Sequence, residues 1–343
     1  MRQYYGWDIG GAHLKLAVIS AGVVSAVRQV ACPLWQGIAQ LRAGLQALRA
    51  EFEFDGAVHA VSMTGELCDI FASRAAGVTA ILAVFEEVVA GKIVVYAGAQ
   101  GWFNVAQSRQ HSAAVASMNW HATAAFIARR EAALVIDIGT TTTDLLPVNR
   151  TVAVRGRTDA ERLQYGELIY TGVCRTPVMA VCKAVPVRGA WRAIAAEYFA
   201  NMADVYRLTG ELPVGVDLHP TADGRAADVP HSAARLARMV CEDFASAEQA
   251  ALVACARFIR EQQLAQIQQG IALLESANPG AISHATYIGA GAGEFLARRI
   301  AAINGARYRT FAAVAEVSEQ CAWLATVCAP AVALAKLIAE ADA

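Results

Sequence analysis

The chain has no C-x-x-C pair, no run of about 18 or more apolar residues, and no cluster of lysine and arginine. The first absence sets aside a zinc or disulfide framework for its eight cysteines. Most of them sit in apolar or helical surroundings and read as buried thiols of a reducing compartment. The second excludes a membrane-spanning helix. The third, with a net charge of −1, leaves no basic stripe for nucleic acid. No charged n-region leads into an apolar h-region either. A strand begins almost at once at Tyr4, so the expected location is cytoplasmic and the sequon-like Asn149-Arg150-Thr151 carries no meaning. Charged residues make up only 17%, whereas apolar residues make up 56% of the 343. That composition supports a large core and argues against disorder, and the length suits two domains of roughly 150 residues each.

The opening reads as strand, turn, strand: Tyr4 to Ile9, Gly10-Gly11, Leu14 to Ile19, then a third strand from Val23 to Val30. Gln36 to Phe52 carries Ile38, Leu41, Leu45 and Leu48 at helical spacing. Ala57 to Met63 reads as a buried strand, Phe71 to Ala90 contains a helix, Lys92 to Ala97 is a strand, and His111 to Arg130 is a helix. Leu134 to Val148 then repeats the opening: apolar strand, Asp-Ile-Gly, small-residue turn, apolar strand. The copies lie one domain length apart, which is a domain duplication. Arg150 to Pro186 is loop-rich, with Gly156, Gly166, Gly172, Pro177 and Pro186, a composition that often carries function. Helices are expected over Ala190 to Arg207, Ser232 to Phe244 and Ala247 to Glu275, with a polar turn from Thr221 to Pro230. Ala285 to Ile288 (strand), Gly289 to Gly293 (loop) and Glu294 to Ala302 (helix) follow, and Ala331 to Ala341 is a last helix. The expected domains are 1–130 and 131–330, with the helix 331–341 returning to the first.

A phosphate binds where several backbone N–H groups converge and small residues allow close approach. Gly10-Gly11-Ala12 and Gly139-Thr140-Thr141 both offer such a turn, and the threonine hydroxyls add donors. The preceding aspartate repels phosphate, but it can hold Mg2+ through water and so bridge to the phosphate. Asp8 and Asp137 therefore read as metal-side carboxylates, Lys15 as a phosphate neutraliser, and Asp144 as a group orienting a water or metal. A single Asp-x-Gly is often only a turn. Two copies plus a late Gly-rich loop point to a phosphate site. Gly289-Ala290-Gly291-Ala292-Gly293 is not a clean G-x-G-x-x-G, and no acidic residue follows at the dinucleotide spacing. It reads either as a loop on which a ligand lies or as a tight strand–helix turn.

The paired Asp-x-Gly hairpins and the late Gly-rich loop resemble the actin-like ATPase superfamily, which includes actin and the sugar kinases. Asp137-Ile138-Gly139-Thr140-Thr141-Thr142-Thr143-Asp144 is similar to its hydantoinase A/oxoprolinase branch. Four segments taken together resemble the tetrahydromethanopterin-linked C1-transfer pathway proteins: Asp8 to Lys15, Met63 to Asp69, Asn119 to Ala124 and Gly166 to Pro177. The resemblance spans about residues 4 to 335. It implies an α/β fold of two actin-like, ribonuclease H-like domains, with mixed sheets flanked by helices around a central cleft. It also implies a transferase of methanofuran or methylofuran biosynthesis. Such an enzyme joins an aminomethylfuran-methyl diphosphate to the phenol of a glutamyl-tyramine or tyrosine-type acceptor and releases pyrophosphate.

On that resemblance Asp8, Gly10, Gly11, Ala12, His13, Lys15, Asp137, Gly139, Thr140, Thr141 and Thr142 hold metal and diphosphate, and Gly289, Gly291 and Gly293 add a ligand-facing loop. His13 either donates to a phosphate, acts as an acid, or caps the turn. Glu66 and Asp69 follow a strand end and either bind the aminomethyl ammonium, act as base, or are exposed loop carboxylates. Arg175 meets a diphosphate or a glutamate carboxylate, or is a surface ion pair. Trp120 stacks on a substrate ring or belongs to the core, and His121 is structural. Mg2+ is expected and ATP is not required. The substrates are small molecules, with no nucleic-acid or membrane partner, and the oligomeric state is open. Two other readings compete. An ATP-dependent small-molecule kinase or oxoprolinase-like amidohydrolase would need nucleotide binding at Gly289 to Gly293, and the chain is far shorter than oxoprolinases. A non-catalytic actin-like assembly protein would need polymer interfaces.

Overall fold

The computed structural model describes residues 2–245, 249–280, 282 and 284–342. The chain forms two compact units: Met1–Ala133 with Pro147–Ala153 and Arg309–Ala343, and Leu134–Leu146 with Val154–Tyr308. The whole segment Arg309–Ala343, not the last helix alone, groups with the first unit.

The first unit is built on β1 (Tyr4–Ile9), β2 (His13–Ser20), β3 (Val23–Ala31), β4 (Val58–Met63), β5 (Lys92–Tyr96) and β6 (Trp102–Phe103), in the order β3-β2-β1-β4-β5-β6. β1 pairs antiparallel with β2, and β2 with β3; β1 to β4 and β4 to β5 are parallel. β4 is buried along its whole length, as a central strand covered on both faces must be. The final helix, Ala329–Ala341, packs on β1. A Cβ at Gly6 would lie 2.0 Å from the Ala331 carbonyl oxygen and 2.6 Å from the Ala335 nitrogen, so only glycine lets the two backbones approach this closely. Under the sheet, the Trp7 indole N–H donates to His59 Nδ1 at 3.1 Å, and His59 Nε2–H donates to the Phe54 carbonyl at 3.0 Å. Burial holds the His59 pKa below its ordinary value.

The second unit is built on β7 (Ala133–Ile138), β8 (Thr143–Asn149), β10 (Leu168–Ile169), β11 (Ala184–Val187), β12 (Ala190–Ala193), β13 (Thr286–Ala290) and β14 (Tyr308–Thr310), of which the last residues of β8 and β14, together with β9 (Thr151–Val152), group with the first unit. Its main sheet runs β10-β8-β7-β13-β14, with β9 alongside β8, and β11 and β12 form a separate hairpin. The helix Gln249–Ala277 buries Leu252, Cys255, Ala256, Ile259, Gln263, Leu264, Ile267, Gly270, Ile271 and Leu274, a stripe at helical spacing.

Several expected elements differ. Ala190 to Arg207 is not one helix. Arg188 (φ 51) and Gly189 (φ 79) make a two-residue turn that pairs Val187 with Ala190, so the alanine-rich stretch opens as β12. The helix begins only at Met202, behind a reciprocal Asn201–Asp204 cap. His111 to Arg130 breaks at Ser117 (φ 53) into Ser112–Val115 and Asn119–Ala128. Ser232 to Phe244 is observed as Val229–Arg238, starting at the Asp228 cap and overlapping the expected Thr221–Pro230 turn. Gln36 to Phe52 is a 3₁₀ turn followed by the helix Ala39–Glu51. Of the helix expected from Ala247, residues 247–248 lie outside the described residues, and Gln249–Ala277 is helical. The loop-rich stretch carries the short helices Asp159–Gln164 and Val178–Val181 as well as β10 and β11. Among the described residues no single helix is long and apolar enough to cross a membrane.

Candidate active site

The second Asp-Ile-Gly turn closes on itself by a hydrogen bond from Gly139 N to the Thr142 carbonyl, 2.8 Å. The segment Gly172–Thr176 lies against it. Val173 N donates to the Gly139 carbonyl (3.1 Å), and Cys174 N and Arg175 N donate to the Thr140 carbonyl (3.1 and 2.8 Å). The Thr176 hydroxyl donates to the Thr141 carbonyl at 3.3 Å. A trans peptide points its N–H opposite its C=O. Three consecutive carbonyls turned onto 173–176 therefore direct the N–H groups of Thr140, Thr141 and Thr142 to the other side, the arrangement of an anion-binding nest. Arg175 Nη1 reaches the Thr141 hydroxyl at 3.4 Å, which brings a cation to the same turn. Gly172 makes this packing possible, since a Cβ there would lie 2.4 Å from Thr141 N.

The first turn repeats the device in the other unit. Gly10 N donates to the His13 carbonyl at 2.9 Å. The Gly11 and Ala12 carbonyls accept from Leu34 N (3.0 Å) and Cys32 N (2.8 Å), which turns the N–H groups of Ala12 and His13 the other way. Lys15 Nζ lies 3.4 Å from Asp8 Oδ2. Glu66 is buried and accepts from the Ser117 hydroxyl at 2.9 Å. A Cβ at Gly77 would lie 2.7 Å from the Glu66 carbonyl oxygen, so the helix Arg74–Val88 packs directly on the Glu66 backbone. Asp69, three residues on, is exposed.

Each turn follows one aspartate. Asp8 is buried with Oδ1 lacking a hydrogen-bond partner, and Asp137 is buried beside Gly291, whose missing Cβ would sit 2.5 Å from Asp137 Oδ1. A single carboxylate beside an anion nest fits Mg2+, which keeps most of its waters and shares the phosphate oxygens.

Other expected site residues have different surroundings. Asp144 Oδ1 is held at 2.6 Å by Nη2 of the buried Arg162. The glycines of Gly289 to Gly293 face protein rather than open space. A Cβ at Gly289 would meet the Tyr308 hydroxyl at 2.0 Å, at Gly291 the Ile138 carbonyl at 2.2 Å, and at Gly293 the Ile138 side chain at 2.5 Å. Their small size is explained by packing on the Asp137-Ile138-Gly139 strand end, the tight-turn reading. Trp120 is buried, with its ring edge-on to His121, and His121 Nδ1 bonds the Tyr96 hydroxyl at 2.9 Å. Burial pushes the Tyr96 phenol up to about 12. Ser117, Arg162, Tyr206 and Gln263 lie outside the motifs that the sequence singles out. Gln263 left one signal, a polar residue on the apolar stripe of its helix between Ile259 and Ile267.

Two sheets, ordered β3-β2-β1-β4-β5-β6 and β10-β8-β7-β13-β14, each with its Asp-Ile-Gly turn between its first two strands, define an actin-like α/β protein. The chain belongs to the hydantoinase/oxoprolinase family, which it matches over residues 57–341. It is 28% identical over 240 residues to the (4-{4-[2-(gamma-L-glutamylamino)ethyl]phenoxymethyl}furan-2-yl)methanamine synthase of Methanocaldococcus jannaschii, covering 69% of this chain and 71% of the relative. It is 31% identical over 110 residues to the synthase of the same name from Methanococcus vannielii, covering 32% of this chain and 50% of the relative. Among solved structures it is similar to component A of the (R)-2-hydroxyglutaryl-CoA dehydratase of Acidaminococcus fermentans (13% identity, 99% and 100% coverage, TM-score 0.46). It is also similar to MreB 5 of Spiroplasma citri bound to AMPPNP (12% identity, 100% and 98% coverage, TM-score 0.45).

Proposed function

We propose that this protein is a cytoplasmic transferase that joins an aminomethylfuran-methyl diphosphate to a phenol, forming an aryl ether and releasing pyrophosphate. The relatives support the product class, because their name describes a phenoxymethyl-furan bearing a methanamine. The observation that carries the diphosphate half is the turn at Gly139–Thr142, with its N–H groups directed away from 173–176 and Arg175 at its side.

The bond between the furan CH₂ and the diphosphate oxygen breaks, and its electron pair leaves with pyrophosphate. The phenol oxygen supplies the pair for the new C–O bond, and its proton passes to a base. The furan ring stabilises positive charge developing at the CH₂. Fixed N–H donors aimed at the leaving group lower the barrier because they need no reorganisation as charge builds. Thr140, Thr141 and Thr142 are assigned that role, with Arg175 as the added cation. Asp137 would hold Mg2+, which supplies charge neutralisation to the diphosphate when bound. Glu66, buried and held by Ser117, is the candidate proton acceptor or ammonium partner. The phenol is of glutamyl-tyramine or tyrosine type.

Calorimetric titration with Mg2+ against pyrophosphate, ADP and ATP tests this reading. Pyrophosphate binding without preference for adenine is expected, weakened about tenfold or more in Asp137→Asn through loss of the metal-side charge. Tight, adenine-selective ATP binding overturns the reading and moves the protein to the nucleotide-dependent classes.

A further inference from the structure

Gln263 is fully buried in the middle of the helix Gln249–Ala277, and its amide is spent on the segment that backs the second turn. Its Nε2 donates to the Thr171 hydroxyl at 2.8 Å and to the Gly172 carbonyl at 2.9 Å. Its Oε1 accepts the hydroxyl of buried Tyr206, from the helix Met202–Thr209. The chain continues from there into the turn. Thr143 Oγ1 donates to the Thr171 carbonyl at 2.6 Å, Gly172 N donates to the Thr176 hydroxyl at 2.8 Å, and residues 173–176 hold the carbonyls of Gly139, Thr140 and Thr141.

From this geometry we infer that Gln263 is a positioning residue for the diphosphate turn, acting with Tyr206 through Thr171 and Gly172. The inference rests on the function proposed above. An apolar side chain would fill the same space on this helix stripe. A buried amide with both N–H groups and its oxygen bonded instead fixes the height of Thr171–Gly172 against the turn. Buried polar groups left without partners are costly, so the arrangement has one low-energy register. Gly172 leaves little slack to absorb a shift, because a Cβ there would already lie 2.4 Å from Thr141 N and 2.5 Å from the Thr140 carbonyl carbon.

The test is pyrophosphate affinity with Mg2+ for the full chain, measured by calorimetry on wild type, Tyr206→Phe, Gln263→Leu, Thr141→Val and the Gln263→Leu/Thr141→Val pair, with thermal unfolding alongside. Gln263→Leu keeps the volume. It is expected to weaken binding about tenfold and Tyr206→Phe about threefold, the scale of one or two lost hydrogen bonds. The paired substitutions should lose less than the product of the single losses, because both act on one turn. A merely structural glutamine would lower thermal stability and leave affinity unchanged, or give losses that multiply independently. Either result overturns the inference. If Gln263→Leu does not fold, Tyr206→Phe decides it: wild-type affinity in that variant overturns it, and the threefold loss supports it. Pyrophosphate left unbound by the wild-type protein overturns the proposed function along with this inference. Wild-type binding with unchanged variants overturns the inference alone.

Discussion

At the scale of the residue, Asp137 and Asp144 look alike in the sequence: two carboxylates bracketing one small-residue turn. The fold separates them. Asp137 sits at the strand end against Gly291, while Asp144 is committed at 2.6 Å to the buried guanidinium of Arg162. The turn was legible because its chemistry is local, a glycine and hydroxyls directly after a strand. The task of Asp144 was not, because its partner arrives from a helix, Asp159–Gln164, that a short pattern does not announce. Asp144→Asn removes the carboxylate that lies 2.6 Å from the buried Arg162 guanidinium. It should cost about 3 kcal/mol of stability in urea unfolding and leave pyrophosphate affinity within about twofold of wild type. Lost affinity at unchanged stability would return Asp144 to the ligand.

At the scale of the element, the longer strands β1 to β5, β7, β8 and β13 were legible from their apolar runs, the short β6, β9, β10 and β14 were not, and a helix was expected where the alanines of Ala190–Ala193 form a strand. Alanine suits a helix intrinsically but fits a strand or a close packing contact too, so propensity yields to tertiary context. The Arg188-Gly189 turn outweighs the alanines of β12. The final helix shows the other use of alanine, together with glycine. Ala331 and Ala335 sit against Gly6 of β1, at a separation no side chain on the strand tolerates. Gly6→Ala should force helix and strand apart and lower stability by about 2 kcal/mol, read as an earlier urea midpoint with unchanged slope. An unchanged midpoint would show that the helix yields freely and does not pin the strand.

At the scale of the molecule, duplication was the most legible feature. Two Asp-Ile-Gly hairpins one domain length apart pointed to a duplication, and in both sheets the hairpin strands sit side by side, β2 beside β1 and β8 beside β7. What the duplication hides is how differently the two units respond to protons. In the first unit His59 is neutral, accepting from Trp7 and donating to Phe54, and burial lowers its pKa. The native unit then binds fewer protons than the unfolded chain. Its stability is full above the ordinary histidine value of about 6.5 and is lost as pH falls from there toward the lower folded value. In the second unit Glu167 is buried. Burial raises its pKa against the opposing effect of two backbone donors, Arg155 N at 2.6 Å and Gly156 N at 2.8 Å. There the native unit binds more protons than the unfolded chain, so its contribution is greatest in acid and declines as pH rises through the folded value. Acidification should therefore separate the units. Between about pH 7 and 5.5, hydrogen-exchange protection is expected to fall for the amides of β1 and β4 and to hold or rise for those of β7 and β13. His59→Gln should flatten the first trend while lowering protection at pH 7. A uniform decline in both sheets, or an acid limb that survives His59→Gln, would mean that the buried histidine is not the group the first unit loses its stability through.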